Sequence, residues 1–127
     1  MDLLLDTQVL LWALGARTRI PPHIRAAMES RTNAVFVSSA SVWEIAIKAS
    51  LGKLEIAGLG LGELPGFIDA SGFDELPVLA RHALGVLDLP GHHRDPFDRM
   101  LIAQARAEDL IVASVDPAFR AYEVQLL

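Results

Sequence analysis

Short aliphatic runs alternate along this chain with segments of helical period, and acidic residues recur where the runs stop. Leu3-Leu4-Leu5, Ala34-Val35-Phe36-Val37 and Leu110-Ile111-Val112-Ala113 are unbroken apolar stretches bounded by turn or helix signals. That is the pattern of strands buried on both faces of a parallel sheet. Between them the pattern predicts helices over 7–14 and from Pro21-Pro22 to about 30, where proline suits the first turn. A third helix is predicted to run to about Ser50, with caps on offer from Ser38 to Ser41 and a stop at Gly52. Gly15 is the expected stop of the first helix. Residues 54–72 are the least regular, with a short helix near 64–70. A short strand at 73–76, helices at 79–87 and 96–107, a turn after Pro117 and a last strand at 124–127 complete the reading. Strands alternating with helices give an α/β fold, a mostly parallel central sheet flanked by helices.

The acidic residues give this frame its chemistry. Asp6 ends the first run, and Asp116 follows the last strong one. In open α/β sheets ligands bind beyond the carboxyl ends of the strands, so these two carboxylates are expected at one mouth. Two helix-borne residues, Glu44 and Asp98, are candidates to join them. Each also has a structural alternative. Asp6 suits an N-cap, and Ser41-x-x-Glu44 fits a capping box. If the helix starts at Ser38 or Ser39, however, Glu44 lies beyond the first turn among apolar neighbours. Asp95 before Pro96 reads as an N-cap, with Asp98 at the third helical position, where the macrodipole favours negative charge. Asp116 before Pro117 suits a turn. His92 and His93, adjacent in a loop, are poorly placed to chelate one ion and are read as surface groups near a helix start. Gly58, Gly60 and Gly62 do not sit between a strand and a helix, so they read as a loop rather than a phosphate cradle.

A carboxylate cluster in a chain without cysteine suits hard cations, Mg²⁺ or Mn²⁺, and points to metal-assisted chemistry on a phosphate. The net charge of −5 is unusual for a nucleic-acid binder. Setting aside the four candidate ligands leaves −1 of that −5, and one bound divalent cation brings it to about +1. A nucleic-acid substrate is therefore compatible with the acidic balance.

The 127 residues suffice for one domain with a genuine core. Apolar residues make up 52%, and the mean hydropathy is +0.36. No run reaches the roughly 18 residues of a membrane span. With no basic, cleavable leader pattern after Met1, a cytoplasmic location is expected. The apolar excess suggests a surface covered by a second subunit or a partner. Leu11, Trp12, Ile20 and Ile24 are the candidates for a homodimer face.

Several segments together resemble the PIN-domain ribonucleases, in particular the VapC-like toxins of bacterial toxin–antitoxin pairs. They are Leu3-Leu4-Leu5-Asp6-Thr7 with Leu10-Leu11-Trp12, Ser41-Val42-Trp43-Glu44-Ile45-Ala46-Ile47-Lys48, the stretch from His92 to Ala105 containing Asp95-Pro96-Phe97-Asp98-Arg99, and Ser114-Val115-Asp116. The resemblance covers essentially the whole chain and implies a three-layer PIN-like domain over 1–127. It implies a Mg²⁺- or Mn²⁺-dependent endoribonuclease whose site is Asp6, Glu44, Asp98 and Asp116, with Asp95 either a fifth ligand or the N-cap. Ser114 stands where the family often has threonine. It also implies a cognate antitoxin over the acidic crevice, where an arginine or lysine would pair with Asp6 or Asp98. Arg94 and Arg99 are candidates to position the RNA backbone, or else solvated helix-terminal charges.

Rival readings fit less well. A haloacid-dehalogenase-like phosphatase would need a second aspartate where Gln8 stands. A phosphorelay receiver would need a lysine after a late strand. A non-catalytic module whose acidic crevice grips a basic partner segment remains the alternative from a different class.

Overall fold

The computed structural model describes residues 1–56, 58–92 and 94–127. His93 lies outside the described residues. Among these residues β1 (Asp2–Leu5), β2 (Ala34–Ser38), β3 (Asp74–Leu76) and β4 (Ile111–Ala113) form one parallel sheet in the order β3-β2-β1-β4. Leu4 pairs with Phe36 on one side and Val112 on the other, so β1 is central.

Side chains alternate across a strand, and here the alternation builds two apolar layers. Leu3, Leu5, Val35, Val37 and Ala113 face one layer with α1 (Thr7–Gly15), α2 (Pro22–Glu29), α3 (Ser39–Ser50) and α4 (Leu64–Ala70). Leu4, Phe36 and Val112 face the other with α5 (Ala80–Gly85) and α6 (Pro96–Glu108). Helix, sheet and helix make the three-layer arrangement read from the sequence.

Three details differ from the sequence reading. Ile20 and Ile24 are fully buried under α1, and Leu11 and Trp12 pack half-buried on the same core, so these residues do not form an exposed face. A helical stripe shows that one face is buried, not what covers it; here the covering layer is the chain's own sheet. Residues 124–127 contribute only an isolated bridge between Leu126 and Val112 at the sheet edge. The first helix runs through Gly15, and the N–H of Ala16 closes it on the Trp12 carbonyl at 2.8 Å.

Among the described residues, no helix is long and apolar enough to cross a membrane.

Candidate functional site

Parallel strands leave their carboxyl ends on one edge, and a helix that feeds a parallel strand begins on that same edge. Asp6 therefore follows β1, Ser114 and Asp116 follow β4, α3 starts directly from β2, and the N-terminus of α6 sits above them. The folding rules for a parallel sheet bring together residues more than a hundred positions apart.

Asp6 is the most constrained of these side chains. It is buried, and its Oδ1 accepts from the Val9 N–H at 2.8 Å as the N-cap of α1. Its Oδ2 accepts from Ser114 Oγ at 2.5 Å. Ser114 Oγ in turn accepts from the Asp116 N–H at 3.0 Å. Burial pushes the Asp6 carboxyl above the usual aspartate range; the Ser114 and Val9 hydrogen bonds oppose that shift, while the Asp116 and Glu44 charges add to it. Asp116 and Glu44 are thus each near enough to act on Asp6.

Glu44 is buried on the sixth residue of α3. The side chain of Ser38, not Ser41, caps that helix by accepting from Ala40 N–H at 3.0 Å, so Glu44 takes no part in a capping box. Its Oε1 accepts from Thr7 Oγ1 at 2.7 Å, and its Oε2 accepts from Lys48 Nζ at 2.6 Å. Thr7 Oγ1 also shares a 3.0 Å hydrogen bond with Ser41 Oγ. The Lys48 ammonium is held protonated above the ordinary lysine range by its bond to Glu44, against a smaller opposing effect of burial. The Glu44, Asp95 and Asp98 charges reinforce it. Lys48 therefore stands between α3 and the start of α6, where carboxylates from both helices act on it.

At the start of α6 the two aspartates divide as their positions suggest. Asp95 Oδ1 accepts from the N–H groups of Phe97 and Asp98 at 2.9 and 3.1 Å, which makes it the N-cap. Asp98 is the third helical residue, half-buried and charged in the first turn. Asp116 is exposed, and its Oδ1 caps the 3₁₀ turn Pro117–Ala121 through Ala118 N–H at 2.9 Å.

The two arginines named from the sequence behave differently from each other. Arg94 is exposed. Arg99 turns away from the carboxylates: its guanidinium donates to the carbonyls of Pro90, Val86 and Leu89 and to the Tyr122 hydroxyl at 2.8–3.4 Å. It clamps the segment before α6. Four groups went unremarked in the sequence as site residues. Lys48 lies four residues after Glu44, a spacing at which helical ion pairs form, and Thr7 is the hydroxyl next to Asp6. His23 and Arg120 line one cleft with Ser114 and Asp116, a proximity with no sequence signal.

The donor set consists of carboxylate and hydroxyl oxygens, which suits a hard divalent cation. The action of the Glu44 and Asp116 charges on Asp6 is the pattern a cation would relieve. As the side chains stand, no three His, Asp or Glu groups among the described residues are close enough to hold one ion. Lys48 is the cation now facing Glu44, Asp95 and Asp98.

The PIN domain family profile matches residues 3–125. The chain belongs to the PIN domain family. No curated protein matches its sequence. Its fold matches chains in three solved complexes. One is VapBC2 from Rickettsia felis bound to a DNA fragment from its promoter, with a TM-score of 0.72 at 15% identity over 100% of this chain and 97% of that one. Another is FitAcB from Neisseria gonorrhoeae, with a TM-score of 0.65 at 22% identity over 98% and 96%. The third is DNA-bound VapBC from Salmonella typhimurium, with a TM-score of 0.67 at 16% identity over 99% and 96%. At these identities the likeness is one of PIN fold.

Proposed function

We propose that this PIN domain is a Mg²⁺- or Mn²⁺-dependent endoribonuclease and the toxin half of a toxin–antitoxin pair. The observation that supports the reading is that Asp6, Glu44, Asp98 and Asp116 all lie on segments that leave or start from the carboxyl edge of a parallel sheet, with Asp6 raised by burial and by like charge. The full-length likeness to chains of VapBC and FitAcB complexes supports the toxin assignment.

In this proposal Asp6 and Asp98 are the primary metal ligands, and Glu44 and Asp116 complete the shell or orient the attacking water. When bound, a divalent cation supplies Lewis acidity and charge neutralisation at the scissile phosphate. Ser114 and the Val9 N–H fix the Asp6 carboxylate, and Thr7 fixes one oxygen of Glu44. Glu44 would turn to a cation from its present partner Lys48, which donates to it at 2.6 Å. The water oxygen would bond to phosphorus as the P–O bond to the leaving oxygen breaks, the water giving a proton to solvent and the leaving oxygen taking one from it, and no protein nucleophile takes part. Arg120, with His23, positions a backbone phosphate beside Asp116, and Arg94 adds an exposed positive charge near α6. Arg99 acts through the segment it clamps.

The antitoxin would present a cationic side chain to Asp6 or Asp98, as Lys48 already does to Glu44 within the chain. That same Lys48 pairing favours the second reading, an acidic crevice that grips a basic segment without cleaving. The two are separated by incubating purified chain and its Asp6→Asn variant with pooled cellular RNA in Mg²⁺, Mn²⁺ or excess chelator. Metal-dependent cleavage by the unaltered chain alone is expected. Full activity in chelator sinks the metal mechanism, and no cleavage with any divalent ion leaves the gripping module.

A further inference from the structure

We infer that Trp43, braced by Phe97, is a stacking platform that holds one unpaired base of the RNA substrate. The inference rests on the nuclease reading above.

Trp43 is 64% exposed, although it is the residue immediately before buried Glu44. Phe97 immediately precedes Asp98. The two rings meet edge to face, with centroids 5.4 Å apart at 73°. They floor a groove of about 430 Å³ shared with Ser39, Val78, Pro96 and Met100. None of its lining residues carries a charge. The groove therefore suits a flat, uncharged occupant.

The groove is also built rather than incidental. Its Val78 rim is tied down by Val78 N–H donating to Ser39 Oγ at 3.1 Å. Gln104 Nε2 donates to the Pro77 carbonyl at 3.3 Å, and Ser38 Oγ donates to Gln104 Oε1 at 2.6 Å. The same two helices carry the two aromatic rings and the carboxylates Glu44 and Asp98. An occupant that puts a phosphate on the carboxylate side and a planar group on the aromatic side meets both, and a nucleotide has that form. Charge points the same way. The chain carries −5 overall, Lys48 is engaged by Glu44, and Arg99 is spent on backbone carbonyls. Beside the phosphate contacts of Arg120, His23 and Arg94, base stacking adds a second hold on the strand, and it tolerates any base because every base has a π-face. Paired bases cannot offer that face.

The test compares a short single-stranded oligoribonucleotide, its full duplex and a copy bearing abasic positions. Each, carrying a fluorescent end label, is titrated against the wild-type chain, Trp43→Ala and Trp43→Phe, following label anisotropy, the tryptophan fluorescence of the wild type and cleavage rate. The single strand should quench wild-type fluorescence, and the abasic copy and the duplex should bind more weakly. Trp43→Ala should lower single-strand affinity on the order of 5- to 150-fold, the range of one stacked base, with Trp43→Phe close to wild type. The melting temperature of Trp43→Ala checks its fold, and the abasic copy tests the platform on unaltered protein. Equal affinity of Trp43→Ala, or of the abasic copy, overturns the platform while leaving the nuclease intact. Wild-type protein that neither binds nor cuts RNA overturns both. A Trp43→Ala variant with unchanged RNA binding but lost capture of an apolar, basic peptide assigns the groove to a protein partner and overturns the platform.

Discussion

Asp6 combines two demands that pull in opposite directions. As an N-cap it needs only an acceptor, which asparagine supplies equally well. As a buried carboxylate near Glu44 and Asp116 it is penalised when ionised. Its raised pKa sets the sign: the penalty is present above that pKa and is lifted as pH falls through it. Asp6→Asn should therefore melt higher than wild type in metal-free buffer at neutral pH, by roughly 2–6 °C for about 1 kcal/mol, while losing cleavage. A calorimetric scan with and without Mg²⁺ checks this; a lower melting point for the variant would mean that the carboxylate is not a burden to the fold. At Asp98 the competing account is a dipole-compensating charge worth about 0.3–1 kcal/mol. Asp98→Asn should cut turnover by at least on the order of 100-fold with the fold retained. Preserved turnover and a slightly reduced melting point would return this residue to a structural role.

At the scale of elements, the joint between α5 and α6 holds a second polar network, its carboxylate at the opposite end of α6 from Asp98. His82 is fully buried; its Nδ1 accepts from Leu79 N–H at 3.0 Å and so caps α5. That acceptor exists only on the neutral ring. The Nε2–H then donates to Glu108 Oε1 at 2.7 Å, and Arg81 also pairs with Glu108. The His82 bond, ahead of Arg81, holds the Glu108 carboxyl below the usual glutamate range, against a smaller effect of burial. A lowered carboxylate pKa contributes stability that is present above the ordinary glutamate value and lost as pH falls through the depressed one. His82→Leu removes both the cap acceptor and the partner of Glu108, and should cost about 1–3 kcal/mol at neutral pH. It should also flatten the acid side of the stability curve. Urea unfolding of variant and wild type from pH 7 to pH 3 measures both effects; parallel curves would show that the network carries no pH dependence.

For the whole molecule, the apolar excess asks for a covered surface, and the structure moves the search away from the first two helices. Leu84 is 64% exposed and Leu87 81%, with Leu79 at 44%, all on or beside α5. A homodimer through this face would bury them. Leu87→Glu should then shift a dimer to monomer in sedimentation velocity across a dilution series, with little change in melting point per protomer. A wild-type chain that stays monomeric at every concentration sinks the dimer outright.

The sequence by itself determined what depends on neighbours along the chain. Three aliphatic runs are strands because their period and length suit burial on both faces, and Asp95-Pro96 starts α6 because its capping chemistry is local. Carboxylates at strand ends follow from the same periodicity. Tertiary structure decided what depends on distant partners. Whether Glu44 caps its helix or faces the crevice turned on where α3 leaves β2, and Ser38 settled it through bonds to Ala40 and to Gln104 on α6. Ile20 and Ile24, read from the sequence as a surface for a second subunit, belong to the core, because a periodic pattern carries no information about what lies across from it. Residues 124–127 have strand composition yet meet only one strand at the sheet edge, where pairing is limited to a bridge. The pairing of Ser114 with Asp6, across 108 positions, exists only because two parallel strands end side by side.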